Sequence, residues 1–212
     1  RKVKNIPQKV IPYEVIGLKE VSPLSRDFTT PFVGREHELS SVQEAVDQVV
    51  DGEFRVLTIG GDAGVGKSRL FVEALKPYEQ KLKLLLAENY PNAEKIPFFS
   101  VTELLSQEFG IRRGDSPKEV ASKLESYLSQ FEEFDREDLL YFKFLFSLDE
   151  ALEELKDVPP EVLHTRIFGL CNRLFKVLSR SKPLVVCMDD YHWADSVSRE
   201  FLRYFAKQTG LK

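Results

Sequence analysis

The sequence predicts an α/β fold in which a parallel sheet is flanked by helices and interrupted by a large helical insertion. Phe54–Ile59 is a short apolar run with β-branched residues, as in strands buried on both faces, and a glycine-rich loop and a helical pattern follow it. Leu184–Met188 is another such run and ends in the acid pair Asp189 and Asp190. Asn89 to Pro183 reads mostly as helices.

The loop is the most informative stretch. Gly61, Asp62, Ala63, Gly64, Val65, Gly66, Lys67 and Ser68 fill the pattern G-x-x-x-x-G-K-[ST], and Leu70, Phe71 and Leu75 mark the helix behind it. Glycines without Cβ let the loop turn successive N–H groups inward into a nest that matches phosphate oxygens. A helix beginning near Lys67 adds unpaired N–H groups and the positive end of its dipole. Lys67 can then reach the β and γ phosphates, and the Ser68 hydroxyl can ligate Mg2+. The motif predicts a P-loop NTPase core, with cofactor contacts running from Gly61 through Ser68 to Arg69.

The composition sets bounds on this reading. With 212 residues, 42% hydrophobic and 30% charged, the chain suits one sizeable domain or somewhat more, and no apolar run nears the roughly 20 residues that span a bilayer. A formal net charge of −4 gives no overall attraction to nucleic acid. Between Phe131 and Glu161, eleven acidic residues stand against three basic ones, which predicts a solvated helical face that repels phosphate backbones. Cys171 and Cys187 fall in a helical and a strand pattern without metal spacing, and they read as core thiols of a reducing, cytoplasmic compartment. The chain starts at Arg1 without a signal segment, as a piece of a longer protein would.

In chain order, Val10, Tyr13 and Val15 can pack while Lys9 and Glu14 face water, and Pro12 suits an edge strand. Val3, Lys4, Pro7, Val10, Tyr13, Glu14, Val15 and Gly17 together resemble the tail that closes a class III adenylate/guanylate cyclase domain. The alternative is a strand belonging to the domain that follows. Residues 1–17 are thus the expected end of a preceding cyclase-like domain, and residues 18–30, rich in Ser, Pro and charge, a linker. Pro31, Phe32, Val33, Gly34, Arg35 and Glu36 lead into a helix with apolar Leu39, Val42, Ala45, Val46 and Val49, ending near Gly52.

Behind the P-loop helix, Leu82–Glu88 is a further strand pattern. In the insertion, Val101, Leu104, Leu105 and Phe109 form one apolar face, and Val120, Leu124, Tyr127, Leu128 and Phe131 another behind a capping signal at Ser116. Leu139–Leu148 is aromatic, and the acids before it favour a helix start. Leu163, Ile167, Leu170, Cys171, Leu174 and Leu178 form the longest pattern, entered through Pro159 and Pro160. His164 has no ligand-like partner on it.

Asp189 lies 122 positions after Lys67. An apolar strand ending in paired carboxylates suits the second half of a nucleotide site: Asp189 would hold the Mg2+ shell and Asp190 polarise a water for attack on the γ phosphate. Tyr191, His192, Trp193, Ala194 and Asp195 complete the string DDYHWAD, and Asp195 or Ser196 would cap a last helix through Phe201, Leu202 and Phe205.

PFVGREHEL, the P-loop and DDYHWAD together resemble the AAA-type and STAND signalling ATPases, whose modules lie behind cyclase catalytic domains and in large LuxR-type transcription regulators. The resemblance covers residues 31–208. It implies ATP and Mg2+ as cofactors, Phe32 and Val33 as apolar and Arg35 as polar contacts of the adenine, and flanking sensor or repeat domains as partners. It also implies a further strand between the P-loop strand and the acidic strand, then a polar sensor residue, another strand and a helical lid. Nothing after Lys212 remains to supply them, so residues 31–212 read as an ATPase domain incomplete on its C-terminal side. Three functions are consistent with the sequence: the ATPase module of a nucleotide cyclase, the switch of a transcription regulator, and a nucleotide-binding scaffold without turnover.

Overall fold

In a computed structural model the described residues are Leu24, Phe28 and 30–208. Residues 1–17, expected as a cyclase-like tail, and most of residues 18–30, expected as a linker, lie outside them. Among the described residues, eight α-helices and two β-strands follow one another along the chain.

Helix α1 (Glu36–Val50) and helix α2 (Lys67–Leu75) precede strand β1 (Lys83–Glu88). The insertion follows as α3 (Phe99–Phe109), α4 (Pro117–Leu128), α5 (Arg136–Leu145), α6 (Asp149–Glu154) and α7 (Pro160–Leu178), and β2 (Leu184–Asp189) and α8 (Ser196–Gln208) complete the order. Local sequence explains most boundaries. Ser116 accepts a hydrogen bond from the Glu119 amide while the Glu119 carboxylate accepts one from the Ser116 amide, a reciprocal cap at the start of α4. Asp135 and Asp138 do the same for α5. The aromatic stretch Leu139–Leu148 lies in α5 as far as Leu145, and Ser147, with φ of 55°, stands in the turn before α6.

The Ser116 cap gives a modest test. Ser116→Ala is expected to destabilise the fold by about 1 kcal/mol in urea unfolding. Hydrogen bonds from Ser116 hold the Glu119 carboxyl below the ordinary glutamate range. Because that value is lowered by folding, the stabilisation is complete at neutral pH and disappears as the pH falls through the lowered value. The gap between Ser116→Ala and parent should therefore narrow in strong acid.

The two strands pair in parallel, from Lys83 opposite Leu184 to Glu88 opposite Asp189. Their side chains alternate between two cores, as strand geometry demands. Leu85 and Ala87, with Leu184, Val186 and Met188, face the large core built by α3–α5, α7 and α8. Leu84 and Val185 face a smaller core built by Val42, Val46, Ala74, Leu75, Tyr78 and Leu82. The sheet is thus covered on both faces by helices. On the far edge of β1, the Gln107 side chain bonds both the N–H and the C=O of Leu86, so that edge is masked from pairing.

Phe54–Ile59 departs from expectation. The run was expected as a strand buried on both faces, yet it forms no strand, and Val56 and Leu57 are 58% and 50% exposed. Its ends are placed: Ile59 packs on the smaller core, and the Phe54 ring meets Phe205 of α8 edge-on at 5.9 Å. A strand needs a neighbour's N–H and C=O groups at ladder distance, and among the described residues β1 and β2 pair only with each other. Every residue of β2 is likewise only half-buried, although its sequence is as apolar as that of β1.

Candidate functional site

The loop after Phe54–Ile59 folds as its glycines permit. Gly64 and Gly66 have φ of 78° and 87°, in the left-handed region where a Cβ is costly, and Gly66 is the residue from which α2 starts at Lys67. A Cβ on Gly61 would stand 3.2 Å from Val65 Cγ2, so a side chain there would crowd the loop. Lys67 Nζ donates to the carbonyls of Gly61 at 3.1 Å and Asp62 at 3.0 Å, which wraps the loop around its own ammonium group.

The strand end meets this loop directly. Ser68 Oγ donates to Asp189 Oδ2 at 2.8 Å across 121 positions of sequence. Asp189 Oδ1 accepts the Asp190 amide at 2.9 Å, and Asp190 turns through φ 48°, which leaves its own carboxylate exposed. His192 Nδ1 lies 4.0 Å from that carboxylate. Among the described residues no group of three or more His, Cys, Asp and Glu could hold a metal. A hydroxyl and a single carboxylate are nevertheless suitable for Mg2+, which keeps several waters and completes its shell with phosphate oxygens.

Asn89 is a residue of this site that the sequence did not reveal. Its backbone N and its Nδ2 both donate to the Asp189 carbonyl, at 3.3 and 2.7 Å, and its Oδ1 accepts from Ser100 Oγ at 2.6 Å. Both residues are buried. The signal was a polar residue placed just after an apolar strand, and it acquires meaning only once the register puts Glu88 opposite Asp189.

The segment expected against an adenine is joined to the P-loop helix through Arg69. Its guanidinium lies 4.8 Å from the Phe28 ring and 5.7 Å from the Phe32 ring, and it donates to Thr30 Oγ1 at 2.7 Å and to the Thr30 carbonyl. Val33 is 81% exposed, and Arg35, at φ 62°, makes the turn into α1. Phe32 is therefore tied to the loop's helix, while Val33 points into solvent.

Burial pushes the Cys171 thiol up to about 12, and burial with the nearby Asp189 charge does the same to Cys187, so both stay protonated at neutral pH. His164 packs against both the Phe98 and the Phe168 ring, at 5.2 and 6.0 Å. Among the described residues no helix is long and apolar enough to cross a membrane.

An uncharacterized protein of Rhizobium meliloti (strain 1021) is 28% identical to the chain over 177 residues, which is 81% of this chain and 17% of that protein. The chain therefore spans about a sixth of that relative's length. No solved structure matches it. The sequence pattern of the AAA ATPase domain matches residues 31–212, the stretch that carries both the loop at Gly61–Ser68 and the strand end at Asp189. A family whose pattern spans most of the chain and includes both halves of this contact leaves one assignment: the chain belongs to the AAA ATPase domain family.

Proposed function

We propose that the chain is an ATP-binding and ATP-hydrolysing module that regulates a multidomain cytoplasmic signalling protein, with an adenylate/guanylate cyclase as the parent. The observation that carries the nucleotide site is the Ser68–Asp189 hydrogen bond, because it brings the glycine loop and the acidic strand end to one point. The cyclase parent is supported by the run from Val3 to Gly17, and the module's partners are the domains on either side of it. DDYHWAD suits a large LuxR-type regulator equally well, and the coding sequence around the chain separates the two.

In this reading Lys67 leaves the Gly61 and Asp62 carbonyls for phosphate oxygens, and the N–H groups of Gly64 to Ser68 enclose the phosphates. Ser68 and Asp189 hold Mg2+, which when bound neutralises charge on the triphosphate. Asp190, exposed at the turn beyond β2, orients and deprotonates the attacking water. Phe32, tied down by Arg69, offers an apolar face to the base.

Calorimetric titration of ATP tests the proposal. The parent is expected to bind ATP more tightly with Mg2+ than with EDTA, and Ser68→Ala to weaken only the Mg2+-dependent part, by about tenfold. A parent that binds no ATP, or a Ser68→Ala variant with unaltered Mg2+ dependence, would refute it.

A further inference from the structure

We infer that Asp195 is a positioning residue: with the first turn of α3 it fixes both ends of the loop 190–195 and thereby sets where the Asp190 carboxylate stands. The inference rests on the proposed role of Asp190 in turnover.

The near end of the loop is held through the Asp189 carbonyl, which accepts two hydrogen bonds from Asn89, itself bonded to Ser100 in the first turn of α3. The far end is held by Asp195, which is 2% exposed. Its Oδ1 accepts from the Ser198 amide at 3.0 Å and from the Phe98 amide at 3.0 Å. The first bond is an ordinary cap of α8. The second is not required for capping; it reaches 97 positions back to the residue from which α3 starts.

Phe98 suits this role because it is itself constrained. Its φ of 62° is unusual for a residue with a side chain, and its ring packs edge-on against His164 and Phe168 of α7. Asp195 therefore bonds to a fixed amide in the large core. Between the two anchors the loop forms one tight turn, with the Trp193 amide on the Asp190 carbonyl at 2.8 Å and the Ala194 amide on the Tyr191 carbonyl at 3.0 Å. Arg199 Nε bonds the Ala194 carbonyl at 2.8 Å. A loop this short, tied at both ends, has few arrangements, whereas one freed at its far end has many. The cost of that freedom falls on Asp190, at its exposed start.

Trp193 is the chain's only tryptophan and sits in this loop, so its fluorescence reports the loop without needing turnover. In the full chain, Asp195→Ala is expected to lower kcat about tenfold with ATP affinity within about twofold of parent, and to raise acrylamide quenching of Trp193 about twofold. Asp195→Asn, which keeps an oxygen acceptor in place, is expected to restore both values. The inference is overturned if Asp195→Ala keeps parental quenching, if affinity falls in the same proportion as kcat, or if Asp195→Asn fails as badly as Asp195→Ala. Should the parent bind ATP without hydrolysing it, the proposed turnover fails, and the clamp is still decided by the quenching of the two variants.

Discussion

Lys67→Ala is expected to weaken ATP binding by about a hundredfold to ten-thousandfold in calorimetric titration, from the loss of two charge-assisted hydrogen bonds at roughly 1.5–3 kcal/mol each. The lower end of that range applies if part of the gain is spent releasing Lys67 from the carbonyls of Gly61 and Asp62. Those bonds are exposed, so the variant should unfold at the parental urea concentration, which separates lost binding from lost folding. Lys67→Arg should not restore affinity, because a planar fork needs more room than an ammonium in a loop where even a Cβ at Gly61 is crowded. Asp190→Asn in the same titration should bind as the parent does and lose turnover, since its exposed carboxylate is proposed to act on water alone. Parental affinity in Lys67→Ala would end the phosphate-site reading.

What the sequence revealed and what it concealed divide along one physical line. Features fixed by neighbours within four residues were legible: the start of α2 at Lys67, the Ser116 cap with Glu119 and the Asp195 cap of α8 all lie where short-range patterns put them. Features that need a partner far along the chain were not. Phe54–Ile59 has strand composition, but pairing is a property of two segments, and no described segment supplies its ladder. Asn89 was only the first residue of the mostly helical stretch that runs to Pro183 until β1 and β2 were laid side by side. Arg69 followed the P-loop in sequence and was grouped with it, whereas its guanidinium is used by Phe28, Thr30 and Phe32. The acid-rich stretch between Phe131 and Glu161 was expected to form a solvated helical face, and Asp138 departs from it.

Asp138 is 1% exposed, and two arginines of α7 converge on it, Arg173 at 2.5 Å and Arg166 at 3.4 Å. The arginine heads are about two-fifths exposed, so water solvates them whether or not the acid is present. The carboxylate has no such recourse, and this asymmetry orders the variants. Removing both arginines strands a buried anion and is expected to cost about 3 kcal/mol, the low end for breaking a buried pair. Asp138→Ala removes the anion itself and should cost less, about 1–2 kcal/mol, chiefly from its share of the α5 cap with Asp135. Adding Asp138→Ala to the variant lacking both arginines should then recover stability, although it removes one more native group. Urea unfolding of the four proteins reads this as a coupling of opposite sign to simple addition. If the triple variant is instead less stable than the double, Asp138 does not bear its charge at the cost of burial, and the link between α5 and α7 rests on the packing of Arg173 against Phe134 and Arg166 against Tyr141.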